Sequence, residues 1–558
     1  MESLVKTSWV TPPYQIGGLD HLGVQAPCIQ IYGDLLPGIT NVTDRARYYS
    51  FYPWLFSQFE LKGWRSQDEV IQMLRRAECL MTLIALHHAA GHDRDNTDHE
   101  AAMVGIDALS QAHKKIQQGD SLPLSDYACR DEHDGIRYFK NPYGGFAQYY
   151  FGALSGLKLL AGDSSSDARL LKETGLKLAG LFAQSVPGEL FVNALIKDEV
   201  NANLLKVLAP FCFCHLKESG EEVEALVALM LEGWPALHPE GVPTEDELAS
   251  SEIRSKSLAY FCLLANAASA HNIGFDVLAF RGMAYTQAAP SDTKLELPDG
   301  LTDCPLKWQV YQRNELLSVG LQGLLYTQLR AVELSSVRLM NTPALASWFW
   351  QQSIGAELLS DYQATTANEL IRVMLAALPD FTDWKNDQHE IQCMYRVNLL
   401  SNKAGASREE VKAVLLDSLK IIAAIIGRPE NAEGYGRYTF PDQYLDYYPV
   451  NLQSVLTDWP SLIKDKPVAE GMALFSQRYC LDAHLRVAMR KLRQQGKNTF
   501  RFEPGEIGIV IKATPRAANT TPRFKQAVRI LMDLGLLERS DSLLNTTARG
   551  DTFIRNTV

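Results

Sequence analysis

The sequence lacks any apolar run approaching the roughly 20 residues that a membrane-spanning helix needs, so no membrane association is expected. It also lacks CxxC pairs. Its nine cysteines (Cys28, Cys79, Cys129, Cys212, Cys214, Cys262, Cys304, Cys393 and Cys480) are odd in number and scattered, which argues against a disulfide framework and suits reduced, buried thiols. Missing too are a Walker A loop, a G-x-S-x-G elbow, a G-x-G-x-x-G turn, an H-x-E with P-C-x-x-C, an H-E-x-x-H helix and a D-x-D-x-D-G loop. No cofactor is expected, and the chain reads as a binding component more readily than as a self-sufficient enzyme. A metal-dependent nuclease built from dispersed carboxylates leaves no motif and stays as an alternative, although segments able to form its sheet are scarce. The first residues, MESLVKTSWVTPPYQ, carry neither a basic nor an apolar leader region, so the expected compartment is the cytoplasm.

What the sequence does contain is ordinary globular material. Its 46% hydrophobic and 21% charged residues suit packed domains, and 558 residues predict about three or four folding units. The net charge of −11, from 54 Lys and Arg against 65 Asp and Glu, does not suggest a protein coated in nucleic acid. That average hides an asymmetry. Residues 481–530 hold eleven Lys and Arg against Asp482, Glu503 and Glu506, a local cationic footprint of the kind phosphate contacts require.

Apolar residues at three- and four-residue spacing predict helices over 67–90, 221–234, 245–270, 315–334, 344–362, 367–378 and 408–426. The expected class is mainly α, a multi-domain helical protein with one or two winged-helix-like modules. The boundaries expected are a loop-rich and helical region 1–136, a winged-helix-like element 137–190, a helical bundle or array 191–480, and a basic winged-helix-like domain 481–558. No fixed repeat of about 34 to 45 residues supports a regular solenoid. Trp308 to Asn314 opens a helix and reads as core.

The winged-helix reading rests on a layout that occurs twice. Leu157-Lys158-Leu159-Leu160 precedes a polar stretch and then Thr174-Gly175; Leu534-Gly535-Leu536-Leu537 precedes a polar stretch and then Thr547-Ala548-Arg549-Gly550. Each reads as a helix end, a short hairpin with a polar tip and a threonine-capped helix. In the second copy, Thr520-Thr521-Pro522 predicts an N-cap for a helix over 522–534 that carries Arg523, Lys525 and Arg529. As a recognition helix it would present its N-terminal residues to a DNA groove. The candidate DNA contacts are therefore Arg516, Arg523, Lys525 and Arg529, with Arg490, Lys491, Arg493 and Lys497 upstream; a protein-interaction module with a basic surface is the competing reading.

Three further constellations carry two readings each. Thr43 or Asp44 is expected to cap a helix whose first turn holds Arg45 and Arg47; positive charge there opposes the helix dipole and calls for a buried carboxylate or a bound phosphate. Cys212-Phe213-Cys214-His215 is either alternating faces of an apolar segment, the preferred reading, or half of a zinc site whose second ligand pair is not visible. The run 92–100, with His92, Asp95, Asp98 and His99, is either a solvated loop or a weak metal site. The tyrosine-rich run 435–448 carries one arginine among its carboxylates and reads as a packed loop more than as a base-stacking platform.

The stretch Leu35 to Trp54, with Leu36-Pro37-Gly38 leading into Arg45-Ala46-Arg47-Tyr48 and Pro53-Trp54, resembles the opening of large uncharacterised bacterial proteins; Tyr138 to Tyr150 adds looser support. Those proteins look like components of anti-phage defence gene clusters, often beside helicases or other ATPases. The resemblance brings no catalytic residues. It implies a partner-dependent role, with non-specific binding of duplex DNA on behalf of an ATPase, helicase or nuclease subunit. A scaffold or adaptor without DNA binding is the alternative from a different class.

Overall fold

Strong local start signals set several helix boundaries. Thr244 caps the helix Glu245–Ala270 in a reciprocal capping box with Glu247, Ser66 does the same with Glu69 ahead of Gln67–Ala90, and Thr366 pairs with Glu369 ahead of Ala367–Ala376. The computed structural model describes residues 20–91, 99, 101–130, 135–290, 293–431, 449–506 and 508–558, and over these it is mainly helical, with four two-stranded antiparallel hairpins. The tyrosine-rich run and His92, Asp95 and Asp98 lie outside the described residues. Among the described residues, no single helix is long and apolar enough to cross a membrane.

The chain divides into two compact units. The first comprises Met1–Tyr32, Leu278–Glu296 and Pro305–Thr520; the second comprises Gly33–Val277, Leu297–Cys304 and Thr521–Val558. This division runs differently from the sequence-based one, because the stretch 481–558 buries its two halves separately. Phe502 and Ala517 join the core of the first unit, whereas Phe524, Ile530 and Leu531 are buried within the second.

The first unit is built around the long helix Cys304–Glu333, with Glu390–Ser401 and Arg408–Asn431 supplying much of its aliphatic core. Trp308 is fully buried, as expected. Two buried carboxylates inside this core are well partnered. Glu390 accepts from Arg428 and from the Tyr285 hydroxyl, and Glu315 accepts from both the amide and the hydroxyl of Thr520. That second contact corrects the expected cap: Thr520 is engaged by Glu315 and does not cap the next helix.

The second unit has an aromatic core. Along the helix Tyr48–Lys62, Tyr48, Phe51, Tyr52 and Trp54 are buried against Phe146, Tyr150, Phe182, Phe191, Phe211 and Phe213. Aromatics on several sides of one helix fit a helix enclosed on all sides. The Glu78 carboxylate, also buried, accepts from Tyr52, Tyr138 and the amides of Gly145 and Phe146, which fixes the 137–150 segment on the helix Gln67–Ala90.

Both copies of the repeated layout fall in this unit. Phe151–Gly156 is followed by the hairpin Leu160–Ala161 with Arg169–Leu170 and then by Gly175–Ser185. Phe524–Asp533 is followed by Leu537–Ser540 with Leu543–Thr546 and then by Ala548–Thr557. The local bonding matches in part: Thr547 caps its helix by accepting the Gly550 amide, as expected, whereas Thr174 makes no cap bond, its hydroxyl being turned to the preceding helix end. Thr174 donates its hydroxyl to Lys158 O and Thr547 to Gly535 O, each acceptor residue lying in the left-handed region (φ 56° and 68°). A Cβ on Gly175 would collide with Leu159 O, and one on Gly550 with Leu536 O, so each helix start approaches the preceding helix end as only glycine permits.

Candidate functional site

The helix expected to read DNA begins at Phe524, preceded by Arg523 in the left-handed conformation (φ 55°) and without a side-chain cap. Its polar residues turn onto the second unit itself. Arg523 donates to the carbonyls of Gly33 (3.3 Å) and Leu36 (2.8 Å), Gln526 donates to Asn41 O, and Arg529 pairs with Asp44 at 3.1 Å. Burial raises the Asp44 carboxyl against the pull of Arg529. Of the three cations named on this helix, Lys525 alone is exposed.

The upstream cations are arranged differently. In the helix Asp482–Gln495 of the first unit, Lys491 is buried and donates to Asp20 O at 2.8 Å. Arg486, Arg490 and Arg493 lie at four- and three-residue spacing along one side, and Lys497 follows beyond the left-handed Gly496 that ends the helix; Arg490 is half-buried, the others are exposed, and Arg486 also donates to Arg478 O at 3.3 Å. At 1.5 Å per residue, successive arginines stand roughly 4.5–6 Å apart along the axis. The hairpin Phe502–Gly505 with Gly508–Ile511 follows this helix, and Arg516 is exposed beyond it. His484, on the same helix, is anchored at both ring nitrogens: one meets His21 O at 3.1 Å, and the other accepts the Arg501 amide at 2.9 Å. Burial lowers its pKa to about 4.

Arg45 and Arg47 precede the helix Tyr48–Lys62 and do not lie within its first turn; neither Thr43 nor Asp44 caps it. Both arginines are fully buried and both meet carboxylates, Arg45 with Asp533 (3.0 Å) and Arg47 with Glu222 (3.2 Å). Their remaining N–H groups hold two loops. Arg45 donates to His99 O (3.5 Å) and Ala101 O (2.9 Å), and Arg47 to Pro210 O and Cys212 O (both 2.6 Å). The Arg45 guanidinium also lies 4.6 Å from the Phe213 ring centroid.

Those two loops bring together side chains that the sequence keeps far apart. His88, near the end of the helix Gln67–Ala90, and His99, in a turn, meet Cys212 and Cys214, which flank Phe213 at the start of the 3₁₀ helix Phe213–Glu218. Cys212 Sγ lies 3.5 Å from His99 Nδ1 and Cys214 Sγ lies 3.3 Å from His88 Nδ1; the four potential ligand atoms are all within 4.8 Å of one another. Cys212 and His99 are buried, while Cys214 and His88 are half-buried. The Cys212 thiol is pulled far below its ordinary value by the Cys214 thiol donating to it, with further help from His88 and His99, and Cys214 is raised in turn. His88 is raised by the same Cys212 sulfur. His215 does not join the set: its ring stacks on His88, with centroids 5.0 Å apart.

Sequence spacing showed half of this cluster. Cys212-x-Cys214 was visible and His99 stood in a suspect run, but nothing local linked them to each other or to His88. No protein family, no curated protein and no solved structure matches the chain.

Proposed function

We propose that this chain is a non-catalytic, DNA-binding component of a bacterial anti-phage defence system, acting in the cytoplasm with a partner ATPase, helicase or nuclease subunit. The supporting observation is the row Arg486, Arg490, Arg493 and Lys497. Its three arginines lie along one side of a helix, Arg493 in the last turn where the dipole favours cations, with Lys497 just beyond the helix end, and a hairpin follows in the position expected of a wing. A row of cations at this spacing suits the phosphates of a duplex and reads no bases, so binding is non-specific and driven by counterion release. The defence context is supported by the resemblance of residues 35–54.

The test is binding of a labelled duplex at low and moderate salt by the full chain and two variants. Changing Arg486, Arg490, Arg493 and Lys497 together to alanine removes up to four phosphate contacts. The logarithmic salt slope then becomes shallower by roughly 3–4. Changing Arg523 and Arg529, already engaged inside the second unit, leaves the slope unchanged in protein that remains folded. A parent chain that shows no shift at low salt overturns this reading in favour of a scaffold.

A further inference from the structure

We propose that His88, His99, Cys212 and Cys214 bind one zinc ion as a closed, structural tetrahedral centre. The assignment is independent of DNA binding and replaces the motif-based expectation of no cofactor.

Geometry comes first. With ordinary Zn–S and Zn–N lengths of about 2.3 and 2.0–2.1 Å, a tetrahedron has S···N edges of about 3.6 Å. The two measured sulfur–nitrogen separations, 3.5 and 3.3 Å, already lie near that edge, and all four ligand atoms fall within 4.8 Å of one another. Two sulfurs and two imidazoles gathered this closely select zinc over the oxygen-seeking magnesium and calcium.

Charge agrees with geometry. Two thiolates and two neutral imidazoles balance the charge of a divalent ion, and each neighbouring arginine is balanced by its own carboxylate, Asp533 or Glu222. The centre can thus be buried without a net uncompensated charge. Four protein ligands leave no position for water, so the ion holds the structure together and activates no nucleophile.

The surroundings are those of a supported site. Arg45 grips the backbone on either side of residue 100 through His99 O and Ala101 O, while Arg47 grips Pro210 O and Cys212 O. One three-residue segment therefore orients both ligand-bearing loops, the role that outer-shell hydrogen bonds play at metal centres. His99 and Cys212 are held through their own carbonyls.

The experiment uses the full untagged chain, purified without chelator. Metal analysis by plasma mass spectrometry is expected to give about one zinc per chain, and zinc-edge X-ray absorption two sulfur and two nitrogen neighbours at the lengths above. Cys212→Ser and Cys214→Ser are expected to lose the zinc, whereas Cys129→Ser keeps it. Should the first two variants fail to accumulate, the parent decides alone: stripping its metal with a strong chelator must expose two additional thiols to alkylation, mapped to Cys212 and Cys214, and readdition of zinc must protect them again. Metal-poor protein in which these thiols react at once, a Cys212–Cys214 disulfide, or an absorption spectrum with no sulfur neighbours would each overturn the proposal.

Discussion

The helices Asp482–Gln495 and Phe524–Asp533 both belong to the basic stretch, and in sequence they look equally suited to a phosphate backbone. In structure they differ. The first presents Arg493 to solvent, leaves Arg486 exposed with one bond to Arg478 O, and turns Lys491 inward onto Asp20 O. In the second, Arg523 and Arg529 are engaged by carbonyls and a carboxylate of the same unit, and Asp533 at its far end neutralises the buried Arg45. The comparison teaches that counting cations on a helix does not locate an electrostatic surface. What decides is whether the chain's own oxygens reach the cation first.

The sharpest way to break this contrast is Asp533→Ala. It leaves the Arg45 guanidinium buried without its carboxylate, a change that typically costs about 3–5 kcal/mol. Denaturant unfolding should show that loss in the second unit, whereas alanine at the exposed Arg493 should stay within about 0.5 kcal/mol of the parent.

Acid should weaken the first helix next. His484 titrates at about 4 in the folded chain against an ordinary 6.5, because burial disfavours its charged form. The unfolded chain therefore takes up the proton first. The stabilisation is complete above pH 6.5, declines as the pH falls towards 4, and amounts to about 3 kcal/mol. Stability curves at pH 7 and pH 4.5 measure it, and His484→Gln should reduce the difference, leaving the shares of His21 and His113, which burial lowers likewise; an unchanged pH dependence in that variant would sink the assignment.

A smaller loss is expected of Arg523→Ala. Two hydrogen bonds to Gly33 O and Leu36 O disappear, for a loss of about 1–3 kcal/mol. Equal stability of this variant and the parent, combined with weaker DNA binding, would reverse the roles assigned to the two helices.

The parts that sequence made legible are those governed by neighbours in the chain. The helix Glu245–Ala270 was bounded correctly because its cap, Thr244 with Glu247, lies within four residues. The two helix–hairpin–helix layouts were visible because their leucines, polar tips and glycines recur in order. By contrast, Thr520 looked like a cap and proved to be the partner of Glu315, 205 residues away. Likewise, Arg45 and Arg47 called for carboxylates that sequence could not name, since Asp533 and Glu222 are remote. The histidine–cysteine cluster was hidden for the same reason, with 113 residues separating His99 from Cys212.

The bond between Arg45 and Asp533 spans 488 positions, so its two ends are synthesised far apart in time. At about 5–20 residues per second, the ribosome supplies the carboxylate roughly 25–100 s after the arginine. Throughout that interval the second unit must wait, unfinished, while the residues of the first emerge. The nascent chain thus carries an incomplete domain throughout that interval, and a ribosome that stalls after residue 520 releases a product with a finished first unit and a second one that cannot close around Arg45.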